Sequence, residues 1–403
     1  MESFDDQLQQ QLDAIRDAGL YRELRRIDSA QSPHIAILGR SLLNFSSNDY
    51  LGLANHPALK EAACKAVEQF GAGSGGSRLI SGSLAPHHQL EESLARFKGA
   101  QAAVSFSSGY AAALGTIGAL LDKQDVIVLD KLVHASIVDA ARLCQAKLRV
   151  FDHNDVTGLG KILKWASTGP KAAASSRKRR ILIVTESVFS MDGDLAPLRE
   201  IVEMKERYGA WLMLDEAHAT GLFGQHRRGL AEAFELGHRV EIQLGTLGKA
   251  FGSAGGYVCG SRKLIELLIN KARSFIFSTA PTPATTAAAT AAIELVQSDE
   301  GERRRNLLWS NVDRVKNGLV TSGCQIPVVR SAIIPIIVGD EAKAVSLSSA
   351  LSELGIFIPA IRYPTVARGE ARLRLTVSAA HSSSDIATLL GAFTRCCEKP
   401  RPT

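Results

Sequence analysis

Trp211-Leu212-Met213-Leu214-Asp215-Glu216-Ala217-His218 sets a short apolar run directly before two acids and a histidine. A run of this length reads as a strand buried on both faces, whose last residues emerge at the carboxyl edge of a sheet. Val104–Phe106, Val126–Leu129, Ile181–Val184 and Ile242–Leu244 repeat the pattern, and helical stretches such as Leu195–Tyr208 separate some of them. The alternation predicts an α/β fold with a mostly parallel sheet covered by helices on both faces. Ligands of such sheets gather outside the carboxyl ends of the strands. The polar residues after each run are therefore the candidate site: Ser107 to Tyr110, His134, Glu186 to Ser190, Asp215 to His218, and Thr246 to Lys249.

The flanks have another texture. The first 30 residues read as an amphipathic helix with Phe4, Leu8, Leu12 and Ile15 on one face. Helices are expected near 283–297, 301–320, 341–354 and 383–396, and strands at Ala332–Val338, Ile356–Ile361 and Arg372–Val377. This divides the chain into an N-terminal helix and arm (1–50), a large domain (51–285) and a smaller α+β domain (286–403).

The chain has 403 residues, 45% hydrophobic and 22% charged, which is an ordinary globular balance able to bury a large core. Part of the net charge of +6 comes from the segment between Lys171 and Arg180. It carries five positive charges and no interleaved aromatic residues for base stacking, so it reads as a solvated loop and no nucleic-acid partner is expected. Cys64, Cys144, Cys259, Cys324, Cys396 and Cys397 show no CxxC spacing, which supports neither a zinc site nor a disulfide framework. No metal is expected. With no leader-like start and no run of 18 apolar residues, the expectation is a cytoplasmic protein without a membrane span.

Two motifs imitate nucleotide sites. Gly71-Ala72-Gly73-Ser74-Gly75-Gly76 fits GxGxxG, but that fingerprint requires a strand before it, and the preceding stretch Pro57–Phe70 is helix-like. Asp215-Glu216-Ala217-His218 imitates the acidic box of helicase-type ATPases. Such an ATPase also needs GxxxxGK[ST]; around Gly248-Lys249, Gln243 and Ala250 occupy the required glycine and hydroxyl positions.

The same residues suit pyridoxal phosphate (PLP). An acid at the end of a buried strand, here Asp215, can keep a pyridinium nitrogen protonated. A lysine on a glycine-flanked loop, here Lys249, can form a Schiff base, and burial would depress its pKa to help. The Ser108-Gly109-Tyr110 turn at a strand-to-helix junction offers free amides to a phosphate.

Long stretches carry a family resemblance: Asn44 to Leu53, Gly73 to Arg78, Thr185 to Asp194, Leu214 to Gly221, Thr246 to Gly252, and Ala371 to Thr376. In these the chain resembles the α-oxoamine synthases among the fold-type I PLP enzymes. The resemblance implies a seven-stranded, mostly parallel sheet in the large domain and a homodimer with shared active sites. It implies that Lys249 holds PLP and shuttles the substrate Cα proton, and that Asp215 pairs with the ring nitrogen. His218 would bond the phenolic oxygen with Ser190 near the same edge, and His134 would stack on the ring. Gly109, Tyr110 and Thr246 would bind the phosphate, with Ser278 and Thr279 reaching it from a neighbouring subunit. Arg374 would clamp the amino-acid carboxylate, and Asn48, Ser77, Arg22 and Thr365 would line the substrate side. The closest branch implies condensation of L-alanine with pimeloyl-CoA or a pimeloyl acyl-carrier protein. Sister branches use glycine with acetyl- or succinyl-CoA, or serine with a long acyl thioester. Tyr363 and Ser187 depart from the usual motifs of that branch. A different class, a nucleic-acid-binding regulator on the same scaffold, rests on the basic segment alone.

Overall fold

The computed structural model describes residues 2–168 and 178–398. Its strands, in chain order, are β1 (His34–Ile37), β2 (Arg40–Asn44), β3 (Ala102–Phe106), β4 (Val126–Asp130), β5 (Lys147–Phe151), β6 (Ile181–Glu186) and β7 (Trp211–Asp215). They continue with β8 (Ile242–Thr246), β9 (Gly256–Gly260), β10 (Ile333–Gly339), β11 (Ile356–Phe357), β12 (Ala360–Ile361) and β13 (Ala371–Thr376). The central sheet has seven strands in the order β3-β9-β8-β7-β6-β4-β5. Only β9 runs against its neighbours, β3 and β8; the other pairs are parallel.

Strand alternation explains how this sheet is buried on both sides. Met213 turns to a layer that includes Ala112, Ile117 and Ile137, while Leu212 and Leu214 turn to one that includes Leu159, Ile201 and Val202. Each such buried side chain contributes roughly 1.5–3 kcal/mol, enough together to tolerate charged groups at the strand ends.

Two of the seven strands have no simple apolar-run signature. β5 is an edge strand in which Lys147 and Arg149 interrupt the apolar residues. β9 begins and ends in glycine. A Cβ on Gly256 would stand 2.5 Å from the Ser108 carbonyl oxygen, so a bare residue lets β9 lie against the start of helix Gly109–Leu120.

The C-terminal part holds an antiparallel sheet in the order β10-β13-β12. The single strand expected over Ile356–Ile361 is instead two. β11 joins β2 in parallel and β12 joins β13, with Pro359, which has no N–H to donate to a ladder, between them. Strands β1 and β2 are a hairpin that the expected arm did not include; through β11 it ties residues 34–44 to the C-terminal layer. The N-terminal helix is also shorter than the 30 residues expected. It spans Phe4–Asp17 and ends at Ala18, before Gly19 in the left-handed conformation. None of its residues is buried, and Phe4, Leu8, Leu12 and Ile15 all face outward.

The glycine run at 71–76 follows helix Pro57–Phe70, with no strand before it, as the rejection of a dinucleotide fingerprint requires. Lys171 and Arg177 of the basic segment lie outside the described residues. Arg180 is tied to Asp122 and Asp125, and Arg179 donates to the Ala166 carbonyl. Among the described residues, no helix is long and apolar enough to cross a membrane.

Candidate active site at the carboxyl edge of the sheet

Glu186, Asp215 and Thr246 end the neighbouring strands β6, β7 and β8, so parallel pairing brings them to one edge. Asp215 is buried, and its Oδ1 accepts the Ala217 N–H at 2.9 Å. Burial raises its carboxyl pKa, against the pull of the Lys249 ammonium. Glu186 is buried beside it. One carboxyl oxygen accepts the Ser190 N–H at 3.2 Å, and Oε1 has no hydrogen-bond partner among the described residues. Burial, then the charge of Asp215, pushes Glu186 up to about 8.

Lys249 lies in the hairpin loop between β8 and β9. Hydrogen bonds from Leu247 to Gly255, Ser253 to Leu247 and Gly252 to Lys249 hold the loop, at 2.8–2.9 Å. Burial lowers the Lys249 amine to about 8, although Asp215 and Glu186 oppose the shift. Its Nζ stands 2.8 Å from His218 Nε2. His218 is buried; burial and the nearby cations Lys249 and Arg374 hold its pKa well below the usual value, so the ring is neutral.

A second pole lies at the start of helix Gly109–Leu120. The Ser108 hydroxyl caps it by accepting the Ala111 N–H at 3.0 Å. A Cβ on Gly109 would lie 3.7 Å from Thr246 Cβ, so the helix start and the β8 end form one cradle. Free N–H groups of a first turn attract an anion. The Tyr110 hydroxyl donates to Asp139 at 2.6 Å, while the Thr246 hydroxyl donates to Gly255 O at 3.0 Å. His134 caps the next helix, Ala135–Leu143, with Nδ1 2.8 Å from Ser136 Oγ, and its side chain is exposed at this edge.

Arg374 reaches the edge from the other domain. Its Nε donates to the Ser190 carbonyl and Nη1 to Thr376 Oγ1. Arg372, two residues earlier on the same face of β13, binds Asp192 and Glu370. Both guanidinium groups are buried and pin the loop after β6. His153 fixes the far side of that loop, with its ring nitrogens 3.0 Å from Asp130 and 2.8 Å from Asp194.

The remaining expected residues fall into three groups. Asn48, partly buried, meets the cluster through Tyr50, whose hydroxyl is 3.4 Å from Asn48 Oδ1. Ser77 bridges to Thr279, and Ser278 donates to the Thr279 carbonyl; no described hydrogen bond joins these three to the strand ends. Arg22 donates to the Tyr363 carbonyl at 3.2 Å, and the Thr365 N–H to the Arg362 carbonyl at 3.0 Å. Arg362 in turn holds Gly19 and Tyr21, so Arg22 and Thr365 belong to one exposed contact between arm and C-terminal loop.

Glu186 was among the strand-end candidates but was given no role, and Tyr50 was not singled out from sequence. The latter carried no signal, because its place depends on contacts made hundreds of residues away.

The Aminotransferase class I and II family model matches residues 40–393. An 8-amino-7-oxononanoate synthase of Geotalea daltonii is 47% identical over 384 residues, covering 95% of this chain and 96% of its own. A serine palmitoyltransferase of S. paucimobilis with bound PLP–myriocin superposes with a TM-score of 0.89 at 31% identity, covering 97% of this chain and 96% of that one. An 8-amino-7-oxononanoate synthase of Francisella tularensis superposes with a TM-score of 0.73 at 28% identity, covering 88% and 97%.

Proposed function

The chain belongs to the class I and II aminotransferase family, among its 8-amino-7-oxononanoate synthases, and from that premise we propose that it condenses L-alanine with a pimeloyl thioester. The products are 8-amino-7-oxononanoate, carbon dioxide and the free thiol, a step of biotin biosynthesis. The observation that carries this reading is the group of Lys249, His218 and Asp215 at one strand edge, with Lys249 Nζ 2.8 Å from His218 Nε2.

Pyridoxal phosphate, when bound, supplies an electron sink for the pair left on the amino-acid Cα. The residues fit it. The first-turn amides of helix Gly109–Leu120 beside Thr246 offer donors for a phosphate, and buried Asp215 suits a ring nitrogen. Lys249 is the covalent anchor; His218 and Ser190 serve the phenolic edge, His134 the ring face, and Gly109, Tyr110 and Thr246 the phosphate. Thr279, bridged to Ser77, and Ser278, which donates to the Thr279 carbonyl, are assigned to a neighbouring subunit's cofactor. The bare apolar face of helix Phe4–Asp17 supports a homodimer, since a second copy would cover it.

With a pKa near 8, Lys249 is neutral in a useful fraction of molecules near pH 7, so its Nζ can take the Cα proton and return it. Arg374 offers the planar fork that grips a carboxylate. Asn48 and Ser77 are assigned to the substrate side, as are Arg22 and Thr365, which share the contact between arm and C-terminal loop. Thiol release from pimeloyl-CoA with alanine tests the assignment. The likeness to a serine palmitoyltransferase gives the rival reading. Faster release with serine and a long acyl-CoA, or with glycine and acetyl- or succinyl-CoA, would move the chain to a sister activity.

A further inference from the structure

We propose that Tyr50 is a positioning residue of this site: its phenol donates to His218 Nδ1 and fixes the tautomer whose Nε2–H faces Lys249. The inference rests on the functional reading above.

Tyr50 has no exposed surface, and its backbone is fixed at both ends. Its N–H donates to Asn48 O at 2.9 Å, and its carbonyl accepts the Ala379 N–H at 2.8 Å. The phenolic oxygen lies 2.5 Å from His218 Nδ1, with the two rings edge to face, 6.0 Å between centroids. Arg374 also borders the phenol, and Asn48 Oδ1 lies 3.4 Å away.

These neighbours decide where the phenolic proton goes. A guanidinium only donates, so Arg374 can occupy a lone pair of the phenol but cannot take its proton. Asn48 is beyond the ordinary O–H···O range of about 2.5–3.0 Å. His218 Nδ1 is then the one neighbour at hydrogen-bond distance able to accept. In the opposite arrangement Nδ1–H would donate to the phenol, stranding a buried hydroxyl proton at a cost of about 1–3 kcal/mol. A neutral ring accepting at Nδ1 carries its proton on Nε2. His218 therefore presents a donor to Lys249 once that amine is neutral, above about pH 8, since an ammonium could only donate to Nε2, and Tyr50 links that donor to Arg374, which grips the substrate carboxylate.

The test uses the full-length protein labelled with 15N-histidine and freed of cofactor, with the His218 signals assigned by their absence in His218→Gln. Well above about pH 8, where Lys249 is neutral and can accept, wild-type His218 is expected to show an unprotonated Nδ1 and a protonated Nε2, and Tyr50→Phe to lose that preference. In the loaded enzyme, Tyr50→Phe should lower kcat about tenfold or more, as for one lost buried hydrogen bond, with KM for alanine within about twofold. Added to His218→Gln, it should change kcat less than about twofold, because residues acting through one another are not additive. A protonated Nδ1 in the wild type, or losses that multiply in the double variant, would overturn the inference. A wild type that shows no long-wavelength absorption with PLP would overturn the cofactor reading instead, while the 15N spectrum still decides the tautomer.

Discussion

Glu186 and Asp215 are register partners on adjacent parallel strands, two buried carboxyl groups side by side at the edge where Lys249 stands. Two like charges so close cannot both be cheaply ionised, and Lys249 can compensate only one.

Glu186 should therefore carry a proton at neutral pH in the cofactor-free fold. Its folded pKa of about 8 exceeds the ordinary 4.5, so the fold holds a proton that the unfolded chain releases. Its contribution to stability thus falls as pH rises from about 4.5 to 8. Glu186→Gln keeps the shape of the neutral acid and should remove up to about 1.4 kcal/mol per pH unit of that slope. Denaturant unfolding of the cofactor-free proteins at pH 5 and pH 8 measures it; equal slopes would contradict the assignment.

Behind the site, Lys98 and Glu216 form an ion pair with almost no exposed surface, and Glu216 also accepts the Ala231 N–H at 2.8 Å. Lys98→Met strands a buried carboxylate and should cost about 3–5 kcal/mol. Adding Glu216→Gln should restore much of that loss, since the charge that needed a partner is gone. Melting curves of the single and double variants decide; a double variant no more stable than Lys98→Met would contradict it.

Arg372 and Arg374 share a face of β13 but differ in what they bind. Arg372 is occupied by the carboxylates of Asp192 and Glu370, whereas the partners of Arg374 among the described residues are neutral, the Ser190 carbonyl, the Thr376 hydroxyl and the Tyr50 phenol. Arg374→Lys should raise KM for alanine about tenfold or more by losing the bidentate fork. Arg372→Met should leave KM within about threefold while lowering stability by about 1–3 kcal/mol, less than a fully buried pair because Asp192 is partly exposed. Steady-state kinetics beside thermal melts would separate the two, and a larger KM effect at Arg372 would reverse the assignment.

His153 gives the opposite pH signature to Glu186. Burial opposes its charge, but hydrogen bonds to Asp130 and Asp194 outweigh burial and raise its pKa from 6.5 to about 10. Its stabilisation is complete below about 6.5 and is lost as pH rises through about 10. His153→Gln should cost about 1–3 kcal/mol at pH 6, a cost that shrinks toward pH 10. Unfolding in that window checks it, and a pH-independent difference would rule out the charged bridge.

Much of the catalytic edge was readable because parallel strands write themselves as apolar runs. Asp215, Thr246 and the Glu186–Ser190 segment follow such runs directly. Where a strand is an edge, as β5, or is squeezed to glycine, as β9, the run disappears and so does the signal. Tyr50 lies in an irregular segment, placed by Ala379 and His218 rather than by any local period. The β13 arginines show a further limit. Spacing by two puts both on one face, and only the partners brought by the loop after β6 distinguish them.

The hairpin that carries Lys249 joins two neighbours of the central sheet, whereas Arg374 rides on a separate sheet. The lysine and Asp215 are thus mounted on one chassis, and Arg374, the proposed carboxylate grip, on another that meets it through the loop after β6. On the proposed roles, exchanging residues in the β10–β13 layer should retune which amino acid is held while leaving Lys249 and Asp215 in place. On the proposed assignment, chemistry and selectivity ride on different sheets in this chain, and a variant library aimed at new amino acids belongs on the smaller one, around Arg374 rather than at it.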